Sequence, residues 1–255
     1  MNLIILAAGY ATRLYPLTLN QPKPLLNVAG KPMLEHVIDN LKTIPYIDHA
    51  YIVTNAKFAG HFQTWVDRYN TPELHFDFTV VNDKSTDDSN KLGAIGDTNL
   101  VLSKHVIDDD IIVVGGDNLF SDDLREFGEF CRAKNAPVLA VYDVGDLEEI
   151  KKYNSIDIDN GRITFFEEKP AQPKSTLTGI ALYYYPKSTL PLIRQYMPGW
   201  VSPSSGPMTC TMPCSGVSIS KSWIPNSRQL LRSVSICFAA IASAIGRLRS
   251  VVGTL

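Results

Sequence analysis

The sequence predicts an α/β fold with a doubly wound, mixed sheet that is mostly parallel. Strand-length apolar runs alternate with segments of helical spacing through the first 150 residues. After residue 152, two segments that favour β-strands flank Asp159-Asn160-Gly161, a sequence that strongly favours the tight turn of a β-hairpin. Antiparallel strands are therefore predicted there. The apolar share of 45% and the charged share of 20% are ordinary for a globular protein.

The alternating part divides into five predicted strands with helices between them. The strands are residues 2–7, 50–54, 76–81, 111–114 and 138–144. The helices begin near Pro32, cover 61–69 and 93–105, and follow Leu124. Because such folds bind ligands at the carboxyl ends of their strands, we expect the functional residues in the loops that follow.

Beyond residue 152 the predicted elements are short and mostly extended. Residues 155–158 and 162–166 form the hairpin, and 180–185 form a further strand. Residues 188–197 read as a short helix with Ser188 as its N-cap.

Residues 201–255 differ in composition from the predicted domain of residues 1–200. They contain 12 serines, three of the four cysteines and no acidic residue. Net charge is −11 up to Glu168 and +9 from Lys169 onward. We interpret 201–255 as the product of a frameshift or another aberrant terminus; a disordered, basic, Ser-rich extension is the alternative. Resequencing the coding region distinguishes the two.

Several classes of protein are disfavoured by composition. A net charge of −2 gives no reason to expect a nucleic acid or a membrane as partner. The apolar start is too short for a signal peptide, and residues 233–246 are too short to span a bilayer. Cys210 and Cys214 have no later histidine to complete a zinc site, so we expect reduced thiols and a cytoplasmic protein.

The N-terminal strand runs into a loop suited to a polyphosphate. Residues 6–14 read LAAGYATRL, and Arg13 is followed ten residues later by Lys23, which lies between two prolines. Small side chains let an anion approach backbone N–H groups, and the two cations neutralise it. The prolines restrict the backbone around the lysine. This pattern predicts a site for a nucleoside triphosphate.

Five signatures resemble those of the sugar-1-phosphate nucleotidyltransferases, in the order found in that family. They are residues 6–14 (LAAGYATRL), 22–26 (PKPLL), 116–118 (GDN), 167–170 (EEKP) and 178–180 (TGI). The resemblance covers about residues 2–197 and implies a Rossmann-like fold.

The resemblance also implies roles for individual residues. Arg13 and Lys23 would bind the triphosphate, Asp117 would hold Mg²⁺, and Lys169 would bind the sugar phosphate. The other implied substrate-binding residues are Ala8, Gly9, Thr12, Asn82, Gly93, Asn118, Glu168, Thr178 and Gly179.

The implied reaction joins a nucleoside triphosphate to a sugar 1-phosphate and releases pyrophosphate. By resemblance dTTP or UTP and glucose 1-phosphate are favoured, and cytidylyl transfer to a phosphorylated alcohol stays open. The family's second metal carboxylate has no counterpart, because no Asp or Glu follows Glu168. We therefore expect impaired activity, and a non-catalytic nucleotide- or sugar-phosphate-binding regulatory module is the competing class. The sequence leaves a homo-oligomer open.

Overall fold

The structure is a computed structural model that describes residues 1–70, 74–196 and 209–210. The chain divides into two units, residues 1–128 and the part that begins at Glu129. The remainder of the 201–255 tail, with Cys214, Cys237 and the predicted helix of residues 233–246, lies outside the described residues. The predicted domain boundary at residue 200 therefore stays a prediction.

The first unit alternates strands and helices. In chain order it contains β1 (Asn2–Leu6), β2 (Asn27–Val28), β3 (Lys31–Pro32), α1 (Met33–Leu41), β4 (His49–Thr54), α2 (Ala59–Tyr69), β5 (Asp77–Asn82), α3 (Gly93–Lys104) and β6 (Ile111–Gly115). The order β5-β4-β1-β6 is parallel at every pairing. Leu6 is in register with both Val53 and Gly115, so the carboxyl ends of three strands meet at one edge. This edge carries most of the predicted site.

The core of the first unit explains why these segments form strands and helices. Leu3, Ile4 and Ile5 of β1 are completely buried, as expected for parallel strands covered on both faces. In α1, residues Leu34 and Ile38 are also at 0% exposure, and they recur at helical spacing. Each such side chain contributes about 1.5–3 kcal/mol to folding when buried.

The second unit is antiparallel. Its elements are β7 (Val138–Asp143), α5 (Leu147–Ile150), β8 (Asn154–Asp159), β9 (Arg162–Glu168), β10 (Leu177–Tyr185), α6 (Leu190–Tyr196) and β11 (Thr209–Cys210), and α4 (Arg125–Lys134) precedes them in the chain. The predicted hairpin is confirmed as β8 and β9, joined by Asn160 and Gly161 at φ 47° and 74°. Two positive φ values define the turn that matches strand twist. The α/β fold with parallel and antiparallel strands is thus confirmed.

Two details differ from the sequence-based expectation. Strand β7 already pairs antiparallel with β10, so antiparallel pairing begins before residue 152. Ser188 does not cap the last helix: it lies inside a 3-10 helix at Lys187–Thr189, and α6 begins at Leu190. The hydroxyl of Thr189 bonds the carbonyl of Pro186 at 2.8 Å, which stabilises this tighter turn. Among the described helices, none is both long and apolar enough to cross a bilayer.

Candidate functional site

The loop after β1 has an open side at Gly9. Ala8 is buried, whereas Gly9, Thr12 and Arg13 are exposed. A Cβ placed on Gly9 would meet no protein atom within 4 Å, so the space beside its backbone is free. The structure therefore places a small-residue backbone beside open space, with Thr12 and Arg13 in the short 3-10 helix that follows.

This loop is held by contacts from its neighbours. The side chain of Asn55 donates to the carbonyl of Ala8 at 3.0 Å, and the hydroxyl of Thr18 donates to the carbonyl of Ala11 at 2.8 Å. Ala11 has φ 48°, a left-handed conformation that reverses the chain before Thr12. The loop is thus fixed by the end of β4 and by the segment that leads to Lys23.

Lys23 and Asp117 form an ion pair in the first unit. The Lys23 Nζ lies 2.6 Å from Asp117 Oδ2, and the two side chains are only 19% and 11% exposed. Burial raises the pKa of Asp117, and the opposing effect of Lys23 is smaller. Because desolvation outweighs the pairing, the ionised carboxylate is a costly group in the folded protein, as expected of a functional residue.

Glycine allows the Asp117 turn to approach β1. The Gly116 N–H donates to the carbonyl of Leu6 at 2.9 Å. A Cβ on Gly116 would lie 3.2 Å from that carbonyl and 3.4 Å from Pro24 Cγ. The proline that follows Lys23 and the glycine that precedes Asp117 are therefore in contact range, which explains how residues 94 positions apart form one pair.

Three other predicted residues follow strands at the same edge of the sheet. Asn82 ends β5, and its Oδ1 accepts from the Lys84 N–H at 2.7 Å. Gly93 begins α3 with φ 73°, which L side chains rarely adopt, and a Cβ there would meet no atom within 4 Å. Asn118 follows Asp117, and its N–H donates to the Gly115 carbonyl at 3.2 Å.

The remaining predicted residues lie in the second unit. Lys169 follows β9 at φ 46°, is exposed, and donates its N–H to the Tyr153 carbonyl at 2.6 Å. Glu168 is half-buried; burial raises its pKa, while Lys169 lowers it. The Glu168 Oε2 and Thr178 Oγ1 atoms are buried without a hydrogen-bond partner. Buried polar atoms without partners are rare in proteins and are expected where a ligand binds.

Asn154 is a residue that the sequence analysis missed. Its Oδ1 accepts from the Gly179 N–H at 2.7 Å, and its Nδ2 donates to the Gly179 carbonyl at 3.2 Å. A Cβ on Gly179 would lie 2.8 Å from Ile156 Cδ1 and 3.3 Å from Asn154 Oδ1, so the strand is closely packed there. A lone Asn just before a predicted strand carries no sequence signal for this pair of hydrogen bonds.

Asp117 fits one part of a metal site. The described residues contain no group of three or more His, Cys, Asp or Glu that could hold a metal ion. Mg²⁺ is commonly bound by one or two carboxylates together with substrate phosphates. A single buried carboxylate beside a phosphate-suited loop agrees with that mode, in which the nucleotide itself supplies further ligands.

A small-residue loop, a lysine and a buried aspartate at the carboxyl edge of a parallel sheet define a nucleotide-binding α/β protein. The sequence pattern described as "Nucleotidyl transferase" matches residues 2–210, past residue 197 where the resemblance was expected to end. This chain is therefore a member of the nucleotidyl transferase family.

Individual relatives agree with that membership. The chain is 32% identical over 198 residues to the bifunctional protein GlmU of Methanocaldococcus jannaschii, covering 76% of this chain and 42% of the relative. It is 28% identical over 186 residues to UTP–glucose-1-phosphate uridylyltransferase AglF of Haloferax volcanii, covering 72% of each. A Bacillus anthracis crystal structure named as a candidate glucose-1-phosphate thymidylyltransferase superposes with a TM-score of 0.66 at 30% identity, covering 78% and 76% of the two chains. The chain thus spans less than half of the GlmU protein.

Proposed function

We propose that this chain transfers a nucleotidyl group from a nucleoside triphosphate to a sugar 1-phosphate and releases pyrophosphate. The observation that carries the proposal is the mostly buried Lys23–Asp117 pair at the sheet edge from which the open loop at Gly9 also leaves. Charge neutralisation and positioning are the main requirements of such a reaction. The named relatives that transfer uridylyl groups or are named for thymidylyl transfer support dTTP or UTP as the donor.

In the proposed reaction, an oxygen of the sugar phosphate attacks the α-phosphorus and the bond to pyrophosphate breaks. Lys23 and Arg13 stabilise the negative charge on the donor phosphates, and Lys169 binds the attacking phosphate. Asp117 would hold Mg²⁺ on the donor. Bound there, the ion would neutralise phosphate charge as it develops.

The remaining residues are proposed to orient the substrates. Thr12, Ala8 and Gly9 would contact the phosphates, and open space lies beside the backbone of Gly9. Asn82 and Gly93 would contact the base. The Asn82 Oδ1 already accepts from Lys84, so its Nδ2 is the group proposed to donate to a base carbonyl.

On the sugar side, Asn118, Glu168, Thr178 and Gly179 are proposed to bind the acceptor. The partnerless Oε2 of Glu168 suits a sugar hydroxyl, which can donate a hydrogen bond to a carboxylate. We place the reaction in the cytoplasm, since four cysteines in a chain of 255 residues do not suggest a disulfide framework.

A panel assay tests the proposal. Pyrophosphate release is measured with Mg²⁺ and each of dTTP, UTP, CTP and GTP against glucose 1-phosphate, mannose 1-phosphate and a phosphorylated alcohol. Turnover with dTTP or UTP and a sugar phosphate supports the proposal, and turnover only with CTP and the alcohol supports cytidylyl transfer. Nucleotide binding by calorimetry without turnover supports the regulatory module, which is favoured by the absence of acidic residues from 169 to 255.

Replacing Gly9 with alanine is expected to weaken nucleotide binding without weakening the fold. The added methyl group meets no protein atom within 4 Å, so thermal stability should stay within about 0.5 kcal/mol. It would occupy the space proposed for phosphate, and we expect Kd for the triphosphate to rise about tenfold, which corresponds to ~1.4 kcal/mol. Gly60→Ala is the matched control, since its Cβ also meets no atom within 4 Å, and it lies on α2. Equal Kd values for both variants would contradict the placement of phosphate at Gly9.

A further inference from the structure

The start of β8 is paired with the end of β9, where two of the proposed acceptor residues lie. Asn154 is the Cα partner of Glu168 in the antiparallel pairing of β8 with β9. One residue earlier, the Tyr153 carbonyl accepts from the Lys169 N–H at 2.6 Å. Residues 153 and 154 therefore fix the end of β9 through main-chain contacts.

The side chain of Asn154 reaches a different strand. Its Oδ1 accepts from the Gly179 N–H at 2.7 Å, its Nδ2 donates to the Gly179 carbonyl at 3.2 Å, and Asn154 is only 3% exposed. A side-chain amide has a donor and an acceptor, so it can pair with both polar main-chain groups of one residue as a neighbouring strand does. Asn154 thus connects the β8–β9 hairpin to β10 at Gly179.

The packing around Gly179 is close and apolar. A Cβ there would lie 2.8 Å from Ile156 Cδ1 and 3.0 Å from Leu139 Cδ2. Ile156 and Leu139 belong to one buried apolar cluster, and apolar burial has no directional preference. The two hydrogen bonds of Asn154 are directional, so they fix where along β10 the hairpin lies.

Two buried polar atoms next to this connection have no hydrogen-bond partner among the described residues. They are Glu168 Oε2 and Thr178 Oγ1. Glu168 is opposite Asn154 in the strand register, and Thr178 precedes the glycine that Asn154 binds. A carboxylate oxygen accepts hydrogen bonds and a hydroxyl both donates and accepts, so both atoms suit the hydroxyl groups of a sugar. Because Asn154 contacts both strands, its hydrogen bonds fix one of these residues relative to the other.

We propose that Asn154 is a positioning residue of the acceptor site, which fixes the Thr178–Gly179 segment of β10 against the end of β9. The inference rests on the proposed function, which assigns residues of both strands to the sugar 1-phosphate. Asn154 acts through the main chain of Gly179 and contacts no substrate. A site held in this way is formed before the sugar arrives, so binding does not have to order it.

Removing the amide should weaken acceptor binding and leave donor binding unaffected. In Asn154→Ala both polar groups of Gly179 lose their partner, and the acceptor residues of β9 and β10 are no longer fixed to each other. Apparent affinity falls with the fraction of molecules in which the site is assembled, so we expect KM for the sugar 1-phosphate to rise about tenfold. The kcat at saturating acceptor and the Kd of the nucleoside triphosphate should stay within about twofold of the unmodified values.

Asn154→Asp is a second variant, which keeps the size of the side chain. Its ionised carboxylate can accept from the Gly179 N–H but cannot donate to the Gly179 carbonyl, and it places a negative charge beside that oxygen. We expect the acceptor KM at pH 8 to rise at least as much as in Asn154→Ala. Because this variant creates no cavity, a rise in both variants does not come from lost packing.

Ser155→Ala is the matched control. Ser155 is the next residue of β8, is completely buried, and its hydroxyl donates to the Ser175 carbonyl at 3.2 Å. Its partner in β9 is Glu167 rather than Glu168. The variant removes one hydrogen bond between β8 and the segment before β10, so it should lower Tm without changing the acceptor KM. A rise in KM equal to that of Asn154→Ala would mean that general weakening explains both, which contradicts the positioning role.

The experiment measures pyrophosphate release over a range of glucose 1-phosphate and mannose 1-phosphate concentrations at saturating Mg-dTTP or Mg-UTP. The unmodified protein, both Asn154 variants and Ser155→Ala are compared, and the Kd of the nucleotide is measured by calorimetry for each. An unchanged acceptor KM in both Asn154 variants would overturn the proposal. So would a rise in the nucleotide Kd as large as the rise in the acceptor KM.

A measurement without substrate separates this proposal from the proposed function. Amide hydrogen exchange at Gly179 should accelerate about tenfold in Asn154→Ala, while Lys169, whose N–H bonds the Tyr153 carbonyl, keeps its protection. That pattern means that the hairpin is intact and only its connection to β10 is lost. Unchanged protection of Gly179 overturns the connection. Absence of turnover and of sugar-phosphate binding in the unmodified protein contradicts the proposed function and the positioning role with it, while the exchange data still decide whether Asn154 connects β8 to β10.

Discussion

Replacing Asp117 with asparagine is expected to remove nearly all nucleotidyl transfer and to leave the fold intact. The carboxylate is the one proposed to hold Mg²⁺, and an amide is a much weaker ligand for a hard cation. Losing such stabilisation of phosphate charge lowers kcat/KM by about 10²–10³-fold. The measurement is pyrophosphate release at saturating Mg²⁺ with the best substrate pair from the panel.

The stability of the same variant follows from the pKa of Asp117. Folding raises that pKa, so the folded protein favours the protonated form; stability from this group is full below pH 4 and declines as pH rises through the folded pKa. Above its folded pKa the ionised carboxylate is therefore a net cost. The neutral amide can still accept from Lys23, so we expect a melting temperature that is equal to or higher than that of the unmodified protein.

Asp39→Asn serves as the control for Asp117→Asn. Asp39 also pairs with lysines, Lys31 and Lys42, but lies on α1 with 34% of its side chain exposed. Burial acts to raise the pKa of Asp39, but Lys31 and Lys42 together lower it. Folding therefore stabilises the ionised form of Asp39, and its replacement should cost a little stability. Activity should be unchanged. Loss of stability in Asp117→Asn, with activity retained, would mean that Asp117 is a structural residue.

The second large effect is expected from Lys23→Met. The side chain keeps its length but loses the charge that would stabilise the donor phosphates. Removal of one such group lowers kcat/KM by about 10²–10³-fold. The variant also leaves Asp117 buried without its partner, and breaking one side of a buried pair costs about 3–5 kcal/mol unless the carboxylate takes up a proton.

A double-mutant cycle separates these two consequences of Lys23→Met. In Lys23→Met/Asp117→Asn no buried charge is left alone, so the melting temperature should recover while turnover stays low. Lys31→Met is the control, since Lys31 and its partner Asp39 are 37% and 34% exposed. Full turnover by Lys23→Met, measured where it is folded, would remove Lys23 from the catalytic group.

Local signals predicted much of the fold correctly. The helix that buries Leu34 and Ile38 and the hairpin at Asn160-Gly161 depend on spacing and turn preference, which are local properties. The predicted start of α6 at Ser188 was wrong, because Ser188 lies in a 3-10 turn. The hydrogen bond from the Thr189 hydroxyl to the Pro186 carbonyl stabilises that turn. Pairing direction is also nonlocal: β7 follows a helix as a parallel strand would, yet it pairs antiparallel with β10.

The residue types of the candidate site were visible in the sequence, but their contacts were not. Lys23 and Asp117 were predicted separately, one for phosphate and one for metal, and their direct ion pair depends on the close approach at Gly116. The burial of Asp97 was not predicted from the sequence, since an aspartate in a helix is usually a solvated residue. Only packing shows that it is buried, with 4% of its surface exposed.

The sequence by itself determined the class of fold, the phosphate-suited loop and the family signatures, because these depend on residue types at short spacing. It also established that no acidic residue follows Glu168, which is a matter of composition. Tertiary structure alone decided which charges meet and how far water is excluded from them. Burial raises the pKa values of Asp97 and Asp117, and burial is set by chain segments that are distant in sequence.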